Sequence, residues 1–384
     1  MPKTKYLSEA EKKLGRKHMY RQELYNGVAY SLLGDTLVYL LAISFGAGNI
    51  ALGYISSASY IAGIVLPFVP QMFQGRNHIK VQSLVWVLRG MVCLLYLGLF
   101  VISGDFAVLL LLVVYTLFNI FRMVGIALND STLKNISSVS NRGKVVANVN
   151  AAYQSSSIVV RVLTALFLGI QRFSGLVGLV ALQMVGVVVN LLASREMSLI
   201  PSRSTIVYKK GRTVMVLLKE AMGSVTFRRR LILRWISTAV AVIFGLTTPF
   251  LRIELGLSNS VVVLYSVTLG VSVMAASYIS KQFSDRLGSR PLVFFSTLFS
   301  LFFFMAWVLV TKSVSPVWFF ILGFFTNFFV SLISLLTYRL VAQVMPDEET
   351  VAFNSMVNFV IAIIAFGVGI LSGFLADKAD FARS

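Results

Sequence analysis

The chain has 384 residues, 57% of them hydrophobic and only 13% charged, an apolar content above the roughly 45–50% of a soluble domain, and its mean hydropathy is +0.83. A net charge of +19 would suit a nucleic-acid partner, but the Lys and Arg residues flank long apolar runs instead of clustering on one amphipathic face. One cysteine and two histidines leave no spacing for a disulfide framework or a metal centre.

The first 24 residues are polar and lysine-rich, too charged for a cleaved signal peptide, so the first apolar run must itself direct insertion. A helix needs about 20 apolar residues to cross a bilayer. Runs of that length lie near 28–46, 50–70, 82–103, 106–128, 145–170, 174–194, 231–251, 260–280, 292–311, 317–338 and 351–376. Their continuity argues against the short alternating segments of a membrane barrel. The chain therefore reads as an all-α membrane protein with eleven transmembrane helices. Pro249 falls at the end of the seventh, while Pro291 and Pro316 open the ninth and tenth, where a missing N–H costs least.

Lys and Arg accumulate on the cytoplasmic side of membrane proteins. With the N-terminus inside, 26 of them are cytoplasmic, 5 lie outside and 3 lie within helices. Residues 1–195 form an N-terminal bundle of tail plus six helices, 196–230 a central cytoplasmic loop, and 231–384 a second bundle of five helices. Within the loop, "TVMVLLKEAMGSV" reads equally as an amphipathic helix on the membrane surface or as a solvated linker helix.

The halves repeat. A shift of 210 lays "FGAGN" at 45–49 on "LGLSN" at 255–259, and "FQGRNHIK" at 73–80 on "FSDRLGSR" at 283–290, matching Arg76 with Arg286 and Lys80 with Arg290. A shift of 208 pairs Asn119 with Asn327. These coincidences, in order and near one offset, indicate a parallel duplication of six helices. The repeat puts a twelfth helix near 382–402, past Ser384. Truncation and a natural eleven-helix variant both account for this, and truncation is the preferred reading.

With these turns and halves, the sequence resembles the major facilitator superfamily of secondary transporters. That family carries Gly-x-Leu-Ala-Asp-Arg-x-Gly-x-Arg/Lys between helices 2 and 3, often repeated between helices 8 and 9. Asp285, Arg286, Gly288 and Arg290 match it, with Lys281 replacing the first glycine and Phe283 the leucine. In the first half Arg76 and Lys80 remain, but Gly75 stands for the acid and His78 for the second glycine. "SNRGK" at 140–144 is similar to the family's Arg-Gly turn. The resemblance, closest to an uncharacterised bacterial branch, implies two pseudo-symmetric six-helix bundles in the cell (inner) membrane. It implies alternating access rather than enzyme activity, and a small-molecule substrate of unknown class with H+ as a candidate coupling ion. It implies a monomer in the lipid bilayer, with no cofactor and no nucleic acid. A transporter-like sensor or scaffold without transport activity is the alternative.

Ionisable groups within a span cost roughly 2.5–3.5 kcal/mol each on insertion scales, so they face a cavity or each other. Four are read from the apolar runs: Asp35, Arg89, Arg122 and Arg161. Since helices 1, 4, 7 and 10 line the central cavity in this superfamily, the resemblance puts Asp35 and Arg122 there as a proton or cation site with its gate. Arg89 and Arg161 fall one layer back as buried charge. Asn119 and Asn327 become candidate substrate amides, with helix–helix bonding as the competing role. Asp285, Arg286, Gly288, Arg290, Arg76 and Lys80 form the candidate conformational latch, asymmetric because only the second turn keeps its acid.

Overall fold

The computed structural model of the protein describes residues 7–138, 142–206, 213–283, 286–310, 315–345 and 350–381. In chain order the helices are α1 (Glu9–Leu33), α2 (Asp35–Ser44), α3 (Asn49–Ile61), α4 (Val69–Met72), α5 (His78–Val92), α6 (Gly104–Ile136), α7 (Arg142–Gly169) and α8 (Leu176–Ser198). There follow α9 (Val214–Gly223), α10 (Val225–Gly245), α11 (Thr247–Ile253), α12 (Asn259–Phe283), α13 (Ser289–Val308), α14 (Pro316–Ala342) and α15 (Thr350–Phe381). Two 3₁₀ stretches, Ala62–Phe68 and Cys93–Phe100, continue α3 and α5. Eleven helical segments among the described residues are long and apolar enough to span a membrane, and each falls on one of the eleven predicted runs.

The surface demands that membrane. Only 17% of the most apolar window of α13 is buried inside the protein, and Phe294 and Phe302 are each 67% exposed. Contiguous apolar surface on this scale is stable against hydrocarbon and not against water. The protein is an all-α, multi-pass membrane protein.

By contact the chain falls into two compact units, Met1–Gly46 with Val65–Lys210 and Ala47–Ile64 with Gly211–Ser384. In the first, α1 packs on α7 and α8, and α5 packs on α6 and α8. In the second, α14 is flanked by α10, α12 and α13, and α15 packs on α3 and α10. The α3–α15 contact is close because glycines line it: a Cβ on Gly369 would lie 2.6 Å from the Gly53 carbonyl oxygen, and one on Gly373 would lie 2.5 Å from that of Asn49. The glycines at 369 and 373, one helical turn apart, thus permit this close approach.

Two segments add to the sequence reading. The polar N-terminal stretch is helical: α1 begins at Glu9, far ahead of the first apolar run. A capping box starts it: the Ser8 hydroxyl accepts from the Glu11 amide and Glu11 accepts from the Ser8 amide at 2.8 Å. Met19 then packs with Ile79, Trp86, Ile136 and Met197, His18 pairs with Glu196 at 2.8 Å, and Arg203 pairs with Glu11 at 2.6 Å. The second is α9, which turns part of its apolar side inward. Leu217 and Ala221 are buried in a core with Phe227, Val341, Phe353 and Met356.

The repeated turns share backbone geometry. Gly46 and Gly256, equated by the 210-residue shift, have φ of 77° and 67°, a region open to glycine and costly for other residues.

Candidate functional site

The first span is broken where it carries its acid. Gly34, with ψ of −173°, turns the chain out of α1, and α2 restarts with Asp35 as its first residue. Asp35 accepts from the Thr36 amide at 3.1 Å, so a carboxylate sits at the positive end of a ten-residue half-helix within the span. The break is thus the local reason that a charge is tolerated there.

Arg122 lies on α6. Its guanidinium lies 4.4 Å from the centre of the Tyr30 ring. Tyr30 in turn neighbours Phe118 at 6.4 Å and Tyr153 at 6.3 Å, and Phe118 stacks on Tyr115 at 6.0 Å. Among the described residues no ion pair joins Asp35 to Arg122, although Asp35 lies near enough to act on it through its field. Both side chains are half-buried. A fixed ion pair is therefore absent from this state, and the aromatic ring occupies the cation. One turn before Arg122, Asn119 is fully buried. It donates to the Tyr115 carbonyl at 2.9 Å, and its own oxygen has no partner among the described residues.

Arg89 has a different role from Asp35 and Arg122. It is 1% exposed and is held by two amides: Nε donates to Asn190 Oδ1 at 2.8 Å and Nη2 to Asn26 Oδ1 at 2.9 Å. Its guanidinium covers Trp86 at 3.7 Å, and Asn26 donates onward to Glu23 at 3.0 Å. The result is a buried polar chain, Glu23–Asn26–Arg89–Asn190, across α1, α5 and α8. Neutral amides satisfy the guanidinium, which a buried ion needs. Arg161 sits half-buried on α7. Glu23 escaped the reading of the sequence because it precedes the first apolar run. The signal was a polar stripe at helical spacing, with Gln22 and Asn26 four apart and Glu23, Gly27 and Ser31 recurring every four residues.

The second unit contains hydroxyls where the first contains charges. Among the described residues its buried polar side chains are all Ser or Thr. Asn327 donates to the Leu269 carbonyl at 2.9 Å and to Ser272 at 2.6 Å, tying α14 to α12. Arg234 lies within α10 and donates to the Ser334 carbonyl and hydroxyl, each at 3.0 Å.

The two signature turns also differ. In the first, the segment after α8 lies along the turn: the Gly75 amide donates to Ile206 at 2.9 Å and the Ile206 amide to Arg76 at 3.0 Å. His78, 2% exposed, meets Ser204 Oγ at 2.6 Å and Asn135 at 3.2 Å. Arg76 and Lys80 point outward. In the second turn Gly288 has φ of 82°, and Arg286 and Arg290 are exposed. Among the described residues none of these four cations forms an ion pair. Asp285, which the latch requires, lies outside the described residues. So do residues 140 and 141 of the 140–144 turn.

The family model described as Major Facilitator Superfamily matches residues 24–378. A solved mutant form of the nucleoside transporter NupG superposes with a TM-score of 0.71 at 10% identity, covering 95% of this chain and 91% of that one. The D-xylose-proton symporter gives 0.67 at 13% identity over 92% and 88%. A bacterial homolog of the human lysosomal transporter Spinster, inward-facing and unoccupied, gives 0.66 at 14% over 95% and 82%. No curated protein sequence matches.

Proposed function

Since the chain belongs to the Major Facilitator Superfamily and is a membrane transporter, not an enzyme, we propose that it moves a small solute by alternating access. In this reading its two halves follow the pseudo-symmetric six-helix plan of the family in the plasma membrane, with eleven spans among the described residues, and its N-terminus is cytoplasmic, as the Lys and Arg distribution favours. Asp35 takes and releases a proton or binds a cationic group, and Arg122 moves between the Tyr30 ring and that carboxylate as the cycle proceeds.

The observation that carries this is the half-helix break. It leaves Asp35 at a helix N-terminus inside a span, close to an arginine with which it forms no ion pair. Discontinuous helices of this kind present their ends to solutes and ions in secondary transporters. Protonation of Asp35 would remove the field acting on Arg122, which couples the two groups without a permanent bond. Asn119, with its open oxygen one turn away, supplies a substrate-binding amide.

The test is reconstitution of Asp35→Asn into proteoliposomes with a panel of labelled sugars, organic acids, amino acids and drugs. Uptake by the native protein beyond what binding accounts for separates a transporter from a transporter-like sensor. Loss of pH-driven uptake with retained counterflow supports proton coupling at Asp35. Unchanged pH-driven uptake removes that role.

A further inference from the structure

We propose that the Asp35–Arg122 site takes a zwitterionic solute of the amino-acid type, an ammonium and a carboxylate carried on an apolar body. This rests on the reading of those two residues as the solute site and adds to it the chemical class of the solute. All the residues involved lie in the first unit.

Two opposite charges stand near each other there and are not joined. Asp35 acts on Arg122 through its field, yet no ion pair links them among the described residues. Asp35 is half-buried, and among the described residues it accepts only from the Thr36 amide. Arg122 is half-buried as well, its guanidinium over the Tyr30 ring at 4.4 Å. A ring takes the face of a guanidinium and leaves its N–H edge, which suits a carboxylate. Unpaired charges within a span are costly. A solute with one charge would satisfy one residue and leave the other bare, whereas a zwitterion satisfies both and brings no net charge into the site.

A third open group points to the ammonium end. Tyr115, Asn119 and Arg122 share one face of α6, at steps of four and three residues, and Asp35 is close to both Tyr115 and Arg122. Asn119 therefore lies between two residues that Asp35 approaches. It is fully buried, its nitrogen donates to the Tyr115 carbonyl at 2.9 Å, and its oxygen accepts from nothing among the described residues. A buried acceptor with no donor carries a desolvation cost that a solute N–H removes. A primary ammonium has three N–H groups, enough for the carboxylate and the amide oxygen together. Tyr30 is half-buried, so its ring gives the apolar body a surface beside the charges.

The experiment uses the full-length protein in neutral detergent and four probes built on one body: phenylalanine with both charges, phenethylamine with the ammonium alone, 3-phenylpropionate with the carboxylate alone, and N,N,N-trimethylphenylalanine with both charges but no N–H. Titration calorimetry should show phenylalanine binding about tenfold or more tightly than either singly charged probe, a factor typical of one charged hydrogen bond. Asp35→Asn should erase its advantage over phenylpropionate, and Arg122→Gln its advantage over phenethylamine. Asn119→Leu should erase its advantage over the trimethyl probe. Damage to the fold would weaken all four probes together and could not produce this crossed pattern. Binding of none of the probes, a singly charged probe binding as tightly as phenylalanine, or losses that do not cross overturns the proposal. Failure of the transport reading looks different: the crossed pattern holds, but labelled phenylalanine is bound and not taken up by proteoliposomes. Uptake of another solute with no phenylalanine binding overturns the class and leaves transport standing.

Discussion

His78 Nδ1 lies 2.6 Å from the Ser204 hydroxyl, and this contact fastens the segment after α8 across the first signature turn. Asn135 donates to the other ring nitrogen at 3.2 Å, so the neutral ring carries its proton on Nδ1 and gives it to Ser204. A histidine where the family pattern has glycine therefore replaces a flexible turn with a bonded strap. His78→Ala should release residues 199–206 at a cost of about 1–3 kcal/mol. Hydrogen exchange at the Ser204 and Ile206 amides should accelerate roughly tenfold or more, while exchange at α13 stays unchanged. Equal protection in the variant would mean that the backbone pairing alone holds the strap.

Arg89 should be indispensable to folding, not to the transport cycle. It donates to Asn190 and Asn26 at once, and removing one partner of a buried charged network costs about 3–5 kcal/mol. Arg89→Lys should fail nearly as badly as Arg89→Leu, because an ammonium lacks the planar fork that bridges two amides. The chain's single cysteine, Cys93, is buried and one turn away, so a thiol-reactive fluorophore reports unfolding directly. Both variants should expose Cys93 at a clearly lower temperature than the native protein. A Lys variant with native thermal behaviour would contradict this account.

Much of this architecture was legible in the sequence because hydrophobic length acts through the bilayer, which is the same solvent for every span. The eleven runs and the paired glycine turns at Gly46 and Gly256 follow from local chemistry. What was not legible depends on tertiary partners. Glu23 looks like part of a soluble tail until α1 is seen to begin at the Ser8 capping box and to pack against α8. Hydropathy alone does not distinguish Arg89, satisfied by amides, from Arg122, resting on an aromatic ring. Both are single arginines in apolar runs; the family resemblance assigned them different layers, but their partners come from neighbouring helices. The α9 segment is a similar case: its apolar stripe suits a membrane surface as well as it suits the core around Phe353, where Leu217 and Ala221 are buried.

The α3–α15 contact should tolerate no side chain at Gly369. A Cβ there would lie 2.5 Å from the Ser57 hydroxyl and 2.6 Å from the Gly53 carbonyl oxygen, so Gly369→Leu forces the helices apart. Overpacking of this kind costs about 1–3 kcal/mol or more. Gly367 is the control on the same helix, since a Cβ there meets nothing within 4 Å. Gly367→Ala should hold or raise the thermal midpoint through helix propensity, and Gly369→Leu should lower it. Indifference at both positions would show that α3 and α15 do not depend on this contact.

The repeat-related amides should separate by function. Asn327 spans two helices, donating to Leu269 and Ser272, so Asn327→Leu removes bonds between α14 and α12 and should cost about 0.5–2 kcal/mol of stability. Asn119 donates only within its own helix, and its buried oxygen has no partner among the described residues. An unpartnered buried acceptor is itself a cost, so Asn119→Leu should be neutral or stabilising in a thermal assay. If that oxygen receives a substrate hydrogen bond, the same variant should weaken uptake by tenfold or more, on the order of 1.4 kcal/mol. The discriminating result is the crossed pattern: stability lost at Asn327 with substrate affinity kept, and affinity lost at Asn119 with stability kept. Parallel losses of stability at both sites would make each amide a helix tie, and the substrate contacts would then have to come from Asp35, Arg122 and the aromatic rings around them.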